Sequence, residues 1–190
     1  MSTINFIKAL AKDYRVAAIS RSSKFTAKKI AKEIEPQYKV VIEYGPGDGI
    51  VTKELLKVLP SDGQLIVIEL NPDFIKELKK INDHRLKIIS GDVVKISKKL
   101  KGFRQVDMII SSIPFTFFNP KTREEIINNS YNFLCPGGKI LIYQYSLLML
   151  PYLKKICGKK NTHWYIEPLN IPPLWIMIGE KNSVWKMNKK

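Results

Sequence analysis

Cysteine and histidine are nearly missing from this chain, with two of each in 190 residues. Cys135 and Cys157 stand in no metal-ligand spacing and are too few for a disulfide framework, so both read as buried or incidental thiols without a redox role. No metal site is expected. Long hydrophobic runs are missing as well. No apolar stretch approaches the ~20 residues of a membrane-spanning helix. The N-terminus is interrupted by Lys8 and Lys12 where a signal peptide would carry an unbroken apolar core. The expectation is a cytoplasmic protein. Repeats and low-complexity linkers are also lacking. With 45% hydrophobic content, the chain suits one domain, which at this size buries roughly 70% of its unfolded surface.

Acidic residues are scarce, 17 against 32 Lys and Arg, leaving a net charge of +15. The imbalance is concentrated at the ends. Residues 1–34 hold eight Lys/Arg against two acids and residues 154–190 hold the same, while the middle holds 16 against 13. Basic ends attract polyanions, either nucleic-acid phosphates or anionic lipid headgroups. Solvated lysines serving solubility are the plain alternative.

What is present is an alternation of strands and helices. KVVIEY (39–44), QLIVIEL (64–70), RLKIIS (85–90), VDMIIS (106–111) and KILIYQY (139–145) are near-continuous apolar runs, as parallel strands covered on both faces should be. Helical patterns lie between them: VTKELLKVL, NPDFIKELKKI, a lysine-rich piece near 95–101, and KTREEIINNSYNFL, which ends at Pro136-Gly137-Gly138. This βαβ series predicts a doubly wound α/β sheet. NTHWYIEP and PPLWIMIGEK read as two further strands joined by a proline-bearing turn, an antiparallel addition.

The loop after the first strand, EYGPGDG, places Gly45, Gly47 and Gly49 at alternate positions with Glu43 before them and Asp48 between. A dinucleotide site follows G-x-G-x-x-G and sets a pyrophosphate on the next helix, but position 50 is Ile and carboxylates repel phosphate. They suit a cationic ligand. Glu69 closes the second strand, where a carboxylate accepts from ribose hydroxyls. Asp92 follows the third, where it can accept from an adenine amino group. Each alone reads equally as a tight turn or a helix cap. Three at successive strand ends lie where open α/β sheets bind ligands. Adenine, ribose, no phosphate and a cationic amino-acid tail describe S-adenosylmethionine.

Through EYGPGDG, VIELN, GDV, DMIISSIPF and LCPGGKILI, over residues 39 to about 150, the chain resembles the class I S-adenosylmethionine-dependent methyltransferases. The resemblance implies a Rossmann-like α/β fold, a seven-stranded, mostly parallel sheet with an antiparallel last strand and helices on both faces. The single domain, 1–190, would comprise a basic helical segment (1–34), a cofactor core (39–150) and C-terminal antiparallel strands (151–190). It implies that Glu43, Gly45, Gly47 and Gly49 line the methionine end and Glu69 the ribose. Asp92 and Val93 would line the adenine, and Ser111 and Ser112 the approach to the methyl group. Tyr44, Pro46, Leu70, Asn71 and Gly91 would stand beside them as cofactor neighbours.

Two subfamilies bear on the substrate. SSIPF is similar to the N-I-P-F/Y motif of ribosomal RNA adenine dimethylases, with Ser112 at the asparagine's position. A serine hydroxyl reaches less far than a carboxamide and accepts less strongly. The basic start FIKALAKDYRVAAISRSSKFTAKKIA, the S-x-x-P segment with its aromatic, CPGGKILIYQYS and NIPPLWIM resemble the soluble bacterial phospholipid N-methyltransferases. That likeness implies methylation of a phosphatidylethanolamine amine at an anionic membrane surface, a peripheral position on its inner face, and substrate contacts from Arg21, Ser22, Ile113, Pro114 and Phe115. RNA remains the alternative partner, and a cofactor-binding protein without turnover the third reading.

Ile4, Ile7, Leu10, Ala11 and Tyr14 recur at helical spacing beside Lys8, Lys12 and Arg15, the pattern of a short basic amphipathic helix for a headgroup layer or for the core. YSLLMLPYLKKICGKK reads either as a cover for acyl chains or as a core helix broken by Pro151. An ethanolamine nitrogen must lose a proton before it accepts a methyl. Tyr143, Tyr145 and His163 are the candidates to take it. Phe115, Tyr143 and Trp164 offer ring faces to the methylated cation, against plain core packing for each.

Overall fold

The computed structural model describes residues 23–99 and 105–183. Seven strands, β1 (Val40–Tyr44), β2 (Gln64–Glu69), β3 (Leu86–Ser90), β4 (Val106–Ser111), β5 (Leu134–Gln144), β6 (Thr162–Glu167) and β7 (Leu174–Glu180), form one sheet in the order β3-β2-β1-β4-β5-β7-β6. The first five are parallel to one another, and β7 runs antiparallel to both β5 and β6. The helices are α1 (Lys24–Ala31), α2 (Ile50–Val58), α3 (Pro72–Leu78), α4 (Val93–Lys99), α5 (Pro120–Phe133) and α6 (Leu150–Cys157).

The continuous apolar strands follow from burial on both faces. Val41, Leu65, Val67, Met108, Ile110 and Leu141 pack with Ile30 of α1, Leu55 of α2 and Leu78 of α3. Alternate residues Ile42, Ile66, Ile68, Ile109, Ile140 and Ile142 pack with Ile126 of α5 and Leu153 of α6. Each such side chain, fully buried, stabilises the fold by about 1.5–3 kcal/mol. The helix starts are set by local chemistry. Asn71 and Asn119 accept from the backbone N–H of Asp73 (2.9 Å) and Thr122 (2.8 Å), each with proline at the first helical position, where a missing N–H costs nothing.

Two local expectations need correction. Pro151 opens α6 instead of breaking a helix, because it falls in the first turn, where backbone N–H groups have no intrahelical partner. The fifth strand begins at Leu134, five residues before Lys139, although Pro136-Gly137-Gly138 reads as a turn. Gly137 N–H donates to Lys181 O (2.9 Å), and Lys181 N–H donates to Gly138 O (2.8 Å), so tertiary pairing keeps the segment extended. A Cβ at Gly138 would lie 3.0–3.1 Å from the carbonyl oxygens of Cys135, Val106 and Asp107, which leaves room there only for glycine.

The chain moves outward from β1 to β3, then returns to place β4 on the other side of β1. The carboxyl ends of β1 and β4 therefore flank a switch point, the place where open α/β sheets form their ligand crevice.

Candidate functional site

The glycine loop leaves β1 at the switch point. Gly45, Gly47 and Gly49 all adopt positive φ, at 70°, 58° and 77°, a region costly for residues with a Cβ. Their surroundings differ. A Cβ at Gly45 would meet Ile113 Cγ2 at 3.0 Å, and one at Gly49 would meet Leu78 Cδ2 at 3.0 Å and Ile81 Cδ1 at 3.2 Å. A Cβ at Gly47 would meet nothing within 4 Å. Gly45 and Gly49 thus serve packing, while Gly47 presents bare backbone to open space.

Two carboxylates, Glu69 and Glu43, lie against this loop, which itself carries Asp48. Glu69 is almost wholly buried at the end of β2. Its Oε1 accepts from the N–H groups of Leu70 and Asn71 (both 2.8 Å), and its Oε2 accepts from Gly47 N–H (3.1 Å). Burial holds Glu69 above the ordinary carboxylate value, against those three donors. Glu43 is fully inside. Thr52 Oγ1 donates to its Oε2 at 2.7 Å, and its Oε1 has no hydrogen-bond partner. Burial pushes Glu43 up to about 8. The Thr52 bond opposes the rise, and the charges of Glu69 and Asp48 add to it. A buried acceptor without a partner, among like charges, is costly. A cationic amine or sulfonium relieves that cost and a phosphate increases it, so these residues fit S-adenosylmethionine. After β3, Asp92 Oδ1 accepts from Val94 N–H at 2.8 Å, so one of its oxygens caps α4.

At the end of β4, Ser111 Oγ is buried without a partner. Ser112 N–H donates to Tyr44 O (3.2 Å) and Ser112 Oγ donates to Gly45 O (2.6 Å). The hydroxyl is thus turned back onto the glycine loop. Beyond it, Ile113 is buried, Pro114 is exposed, and a 3-10 turn spans Phe115–Phe117. Arg123, in the first turns of α5, donates through Nε to Phe115 O at 2.9 Å and fastens this loop. Sequence reading missed Arg123, which no motif marks.

Several sequence candidates sit apart from the crevice. Phe115 is wholly buried, edge-on to Phe118 at 6.2 Å, and Tyr143 is buried among Leu174 and Ile176, so neither ring face is open. Tyr44 is buried, with Ser130 Oγ 3.3 Å from its hydroxyl, so only its backbone reaches the loop. His163 is exposed on the edge strand β6, three strands from β4, or about 14 Å at ordinary strand spacing. Trp164 already carries Lys154 Nζ 4.1 Å from its ring centroid. Tyr145, just past β5, remains near the crevice. Burial raises its phenol above the ordinary value, against a hydrogen bond with Asn170. Asn170 was also missed; residues far apart in the chain meet on it. Arg21, Ser22 and the amphipathic pattern over residues 1–15 lie outside the described residues.

Among the described residues no group of three His, Cys, Asp or Glu is placed to hold a metal, and no helix is long and apolar enough to cross a membrane.

Comparison with known proteins agrees with this geometry. The precorrin-6y C5,15-methyltransferase of Geobacter metallireducens GS-15 superposes with a TM-score of 0.64, at 16% identity, over 85% of this chain and 90% of that one, a likeness of fold. The ornithine lipid N-methyltransferase of Singulisphaera acidiphila is 24% identical over 166 residues, 83% of this chain and 84% of that protein. The ribosomal RNA small subunit methyltransferase A of Mycoplasma capricolum is 42% identical over 156 residues, 80% of this chain and 53% of that protein. The chain spans about half the length of that ribosomal RNA enzyme. The family model for ribosomal RNA adenine dimethylase matches residues 21–125. A methyltransferase sheet, an acid-lined glycine loop at its switch point and these matches lead to one conclusion: the chain is an S-adenosylmethionine-dependent methyltransferase and belongs to the ribosomal RNA adenine dimethylase family.

Proposed function

We propose that this enzyme methylates the aliphatic amine of a membrane lipid, of the phosphatidylethanolamine or ornithine-lipid kind. The observation that carries this reading is the Ser112 hydroxyl donating to Gly45 O at 2.6 Å. An adenine amino group is conjugated with its ring and weakly nucleophilic, so it needs an acceptor such as a carboxamide to polarise it. At this position the chain has a short donor already engaged with its own backbone. An alkyl amine needs only to have lost its proton. The lipid-modifying relative, matched over most of both chains, supports the same choice.

In this reading Gly47 admits the cofactor against bare backbone, Glu43 and Asp48 balance its cationic amino-acid end, Glu69 accepts from the ribose and Asp92 from the adenine. Leu70, Asn71, Gly91 and Val93 flank it. The cofactor supplies an activated methyl on a sulfonium. The protein's part is alignment and exclusion of water: Ser111, Ser112, Ile113 and Pro114 shape the approach, and Arg123 holds that loop closed against α5. The amine gives its proton to solvent before it enters. With S-adenosylmethionine held by Glu43, Asp48, Glu69 and Asp92, the methyl it would supply would be aimed at the amine nitrogen between Ser111, Ser112, Ile113 and Pro114.

Incubation of the purified protein with S-adenosylmethionine and phosphatidylethanolamine vesicles, followed by mass spectrometry of the lipid, tests this. N-methylated headgroups are expected. An unchanged lipid, with cofactor binding intact, refutes the reading.

A further inference from the structure

Seven large apolar side chains are exposed among the described residues, and three of them, Phe25, Leu169 and Ile171, lie at the start of α1 and in the loop joining β6 to β7. Ile171 is 93% exposed, Phe25 65% and Leu169 60%.

The loop that carries Leu169 and Ile171 is pinned. Between them Asn170 is buried, its Oδ1 accepting from Ser23 N–H (2.9 Å) and Thr26 Oγ1 (3.2 Å), and its Nδ2 donating to Pro172 O (2.8 Å). Leu169 N–H donates to Glu167 Oε1 (2.9 Å), and Glu167 in turn pairs with Lys29 Nζ at 2.9 Å. Ser23 and Thr26 bracket Lys24 and Phe25, so the network ties the start of α1, which carries Phe25, to the loop that carries Leu169 and Ile171. The apolar side chains are held outward by buried polar bonds.

We infer that this rim, Phe25, Leu169 and Ile171 flanked by Lys24 and Lys28, is the surface by which the enzyme docks on an anionic lipid bilayer. The inference rests on the lipid reading of the site and names the partner surface for it. Three aliphatic or aromatic side chains held outward are suited to burial at the acyl boundary, and exposed lysines beside them meet anionic headgroups. RNA would instead select ring faces for stacking, and of these three side chains only Phe25 has one; Ile171, the most exposed at 93%, and Leu169 offer none. The position is also right for the chemistry. The β6–β7 loop stands at the end of the sheet where β5 finishes, since Gln144 pairs with Trp175 and Glu167 with Leu174. β7 is two strands from β4, or about 10 Å. A lipid amine can therefore reach the crevice while its acyl chains stay in the bilayer.

The test is flotation with vesicles of phosphatidylglycerol and phosphatidylcholine, which carry no amine to methylate, so docking is read apart from turnover. The parent is expected to float, less so at high salt. The Leu169→Ser/Ile171→Ser double variant is expected to partition at least tenfold more weakly while melting like the parent, because both side chains already face solvent. Lys24→Glu/Lys28→Glu should weaken flotation at low salt. In Ile171→Trp the introduced indole should shift to the blue with vesicles and be quenched by brominated acyl chains, a readout that needs no destabilising change. A parent that stays in solution, or a double variant that floats like the parent, overturns the docking surface. So does a double variant that floats unchanged but converts a dimeric parent to a monomer, which would make the rim a protein interface. Detergent-dispersed phosphatidylethanolamine separates the two claims. If it is methylated while the rim does not dock, only this inference fails. If the rim docks and no lipid is methylated, only the proposed function fails.

Discussion

The Glu69 carboxylate accepts from the Gly47 N–H at 3.1 Å, tying the end of β2 to the one loop glycine whose Cβ position is open. The same carboxylate that would hold the ribose also sets the loop. Glu69→Ala is therefore expected to weaken S-adenosylmethionine binding by more than tenfold, since two charge-assisted bonds of about 1.5 kcal/mol or more are lost along with the loop's anchor. Calorimetry on a variant with a cooperative melt checks this, and unchanged affinity removes Glu69 from the cofactor site.

Gly47→Ala and Gly49→Ala separate binding from packing. At Gly47 the methyl enters open space at φ +58° and costs about 1–2 kcal/mol of backbone strain, but it blocks the cofactor, so affinity should fall sharply while the melt shifts modestly. At Gly49 the added Cβ strikes Leu78 and Ile81, so the melt should fall further. Equal losses of affinity and stability at both positions contradict the distinct roles.

Glu43 makes stability depend on pH. Its folded value, about 8, lies above the ordinary 4.5, so its contribution is complete below about pH 4.5 and is lost as pH rises through about 8. Glu69, also raised, acts in the same direction. The unliganded protein is expected to melt at lower temperature as pH climbs from 5 to 8, by up to about 1.4 kcal/mol for each pH unit crossed. Glu43→Gln should flatten that slope. A cationic ligand favours the charged carboxylate, so cofactor binding at pH 7 should release a proton, seen as a buffer-dependent heat and lost in Glu43→Gln. Identical pH slopes in parent and variant refute the assignment.

Ser112→Ala should lower stability by about 1 kcal/mol through loss of the bond to Gly45 O. It should retain lipid methylation, because the hydroxyl braces the loop and does not touch the amine. Abolished turnover with cofactor affinity intact would make Ser112 a catalytic residue.

Much of this was legible in the sequence because it is local. Strands buried on both faces carry continuous apolar runs, and Glu43, Glu69 and Asp92 stand at or beside the predicted strand ends, so their places in the fold were identifiable. Relations set by the sheet were not. Nothing near Pro136-Gly137-Gly138 reveals that Lys181 will pair there and keep β5 extended. His163 and Tyr145 look like equal candidates along the chain, yet β7 inserts between their strands and carries His163 to the edge. Phe115 and Tyr143 were named as ring faces, but which side of the backbone they occupy, and hence their burial, depends on how the switch-point loop and β5 pack. Asn170 and Arg123 act through contacts that no linear motif records.

The central claim, that the methyl goes to a lipid amine, is tested most directly by competition in one tube. The full chain is given methyl-labelled S-adenosylmethionine with phosphatidylethanolamine vesicles and small-subunit ribosomal RNA together, and the label is followed into organic and aqueous phases. The account predicts label in the lipid headgroup and none above background in RNA. Label in RNA adenine with unlabelled lipid would contradict it.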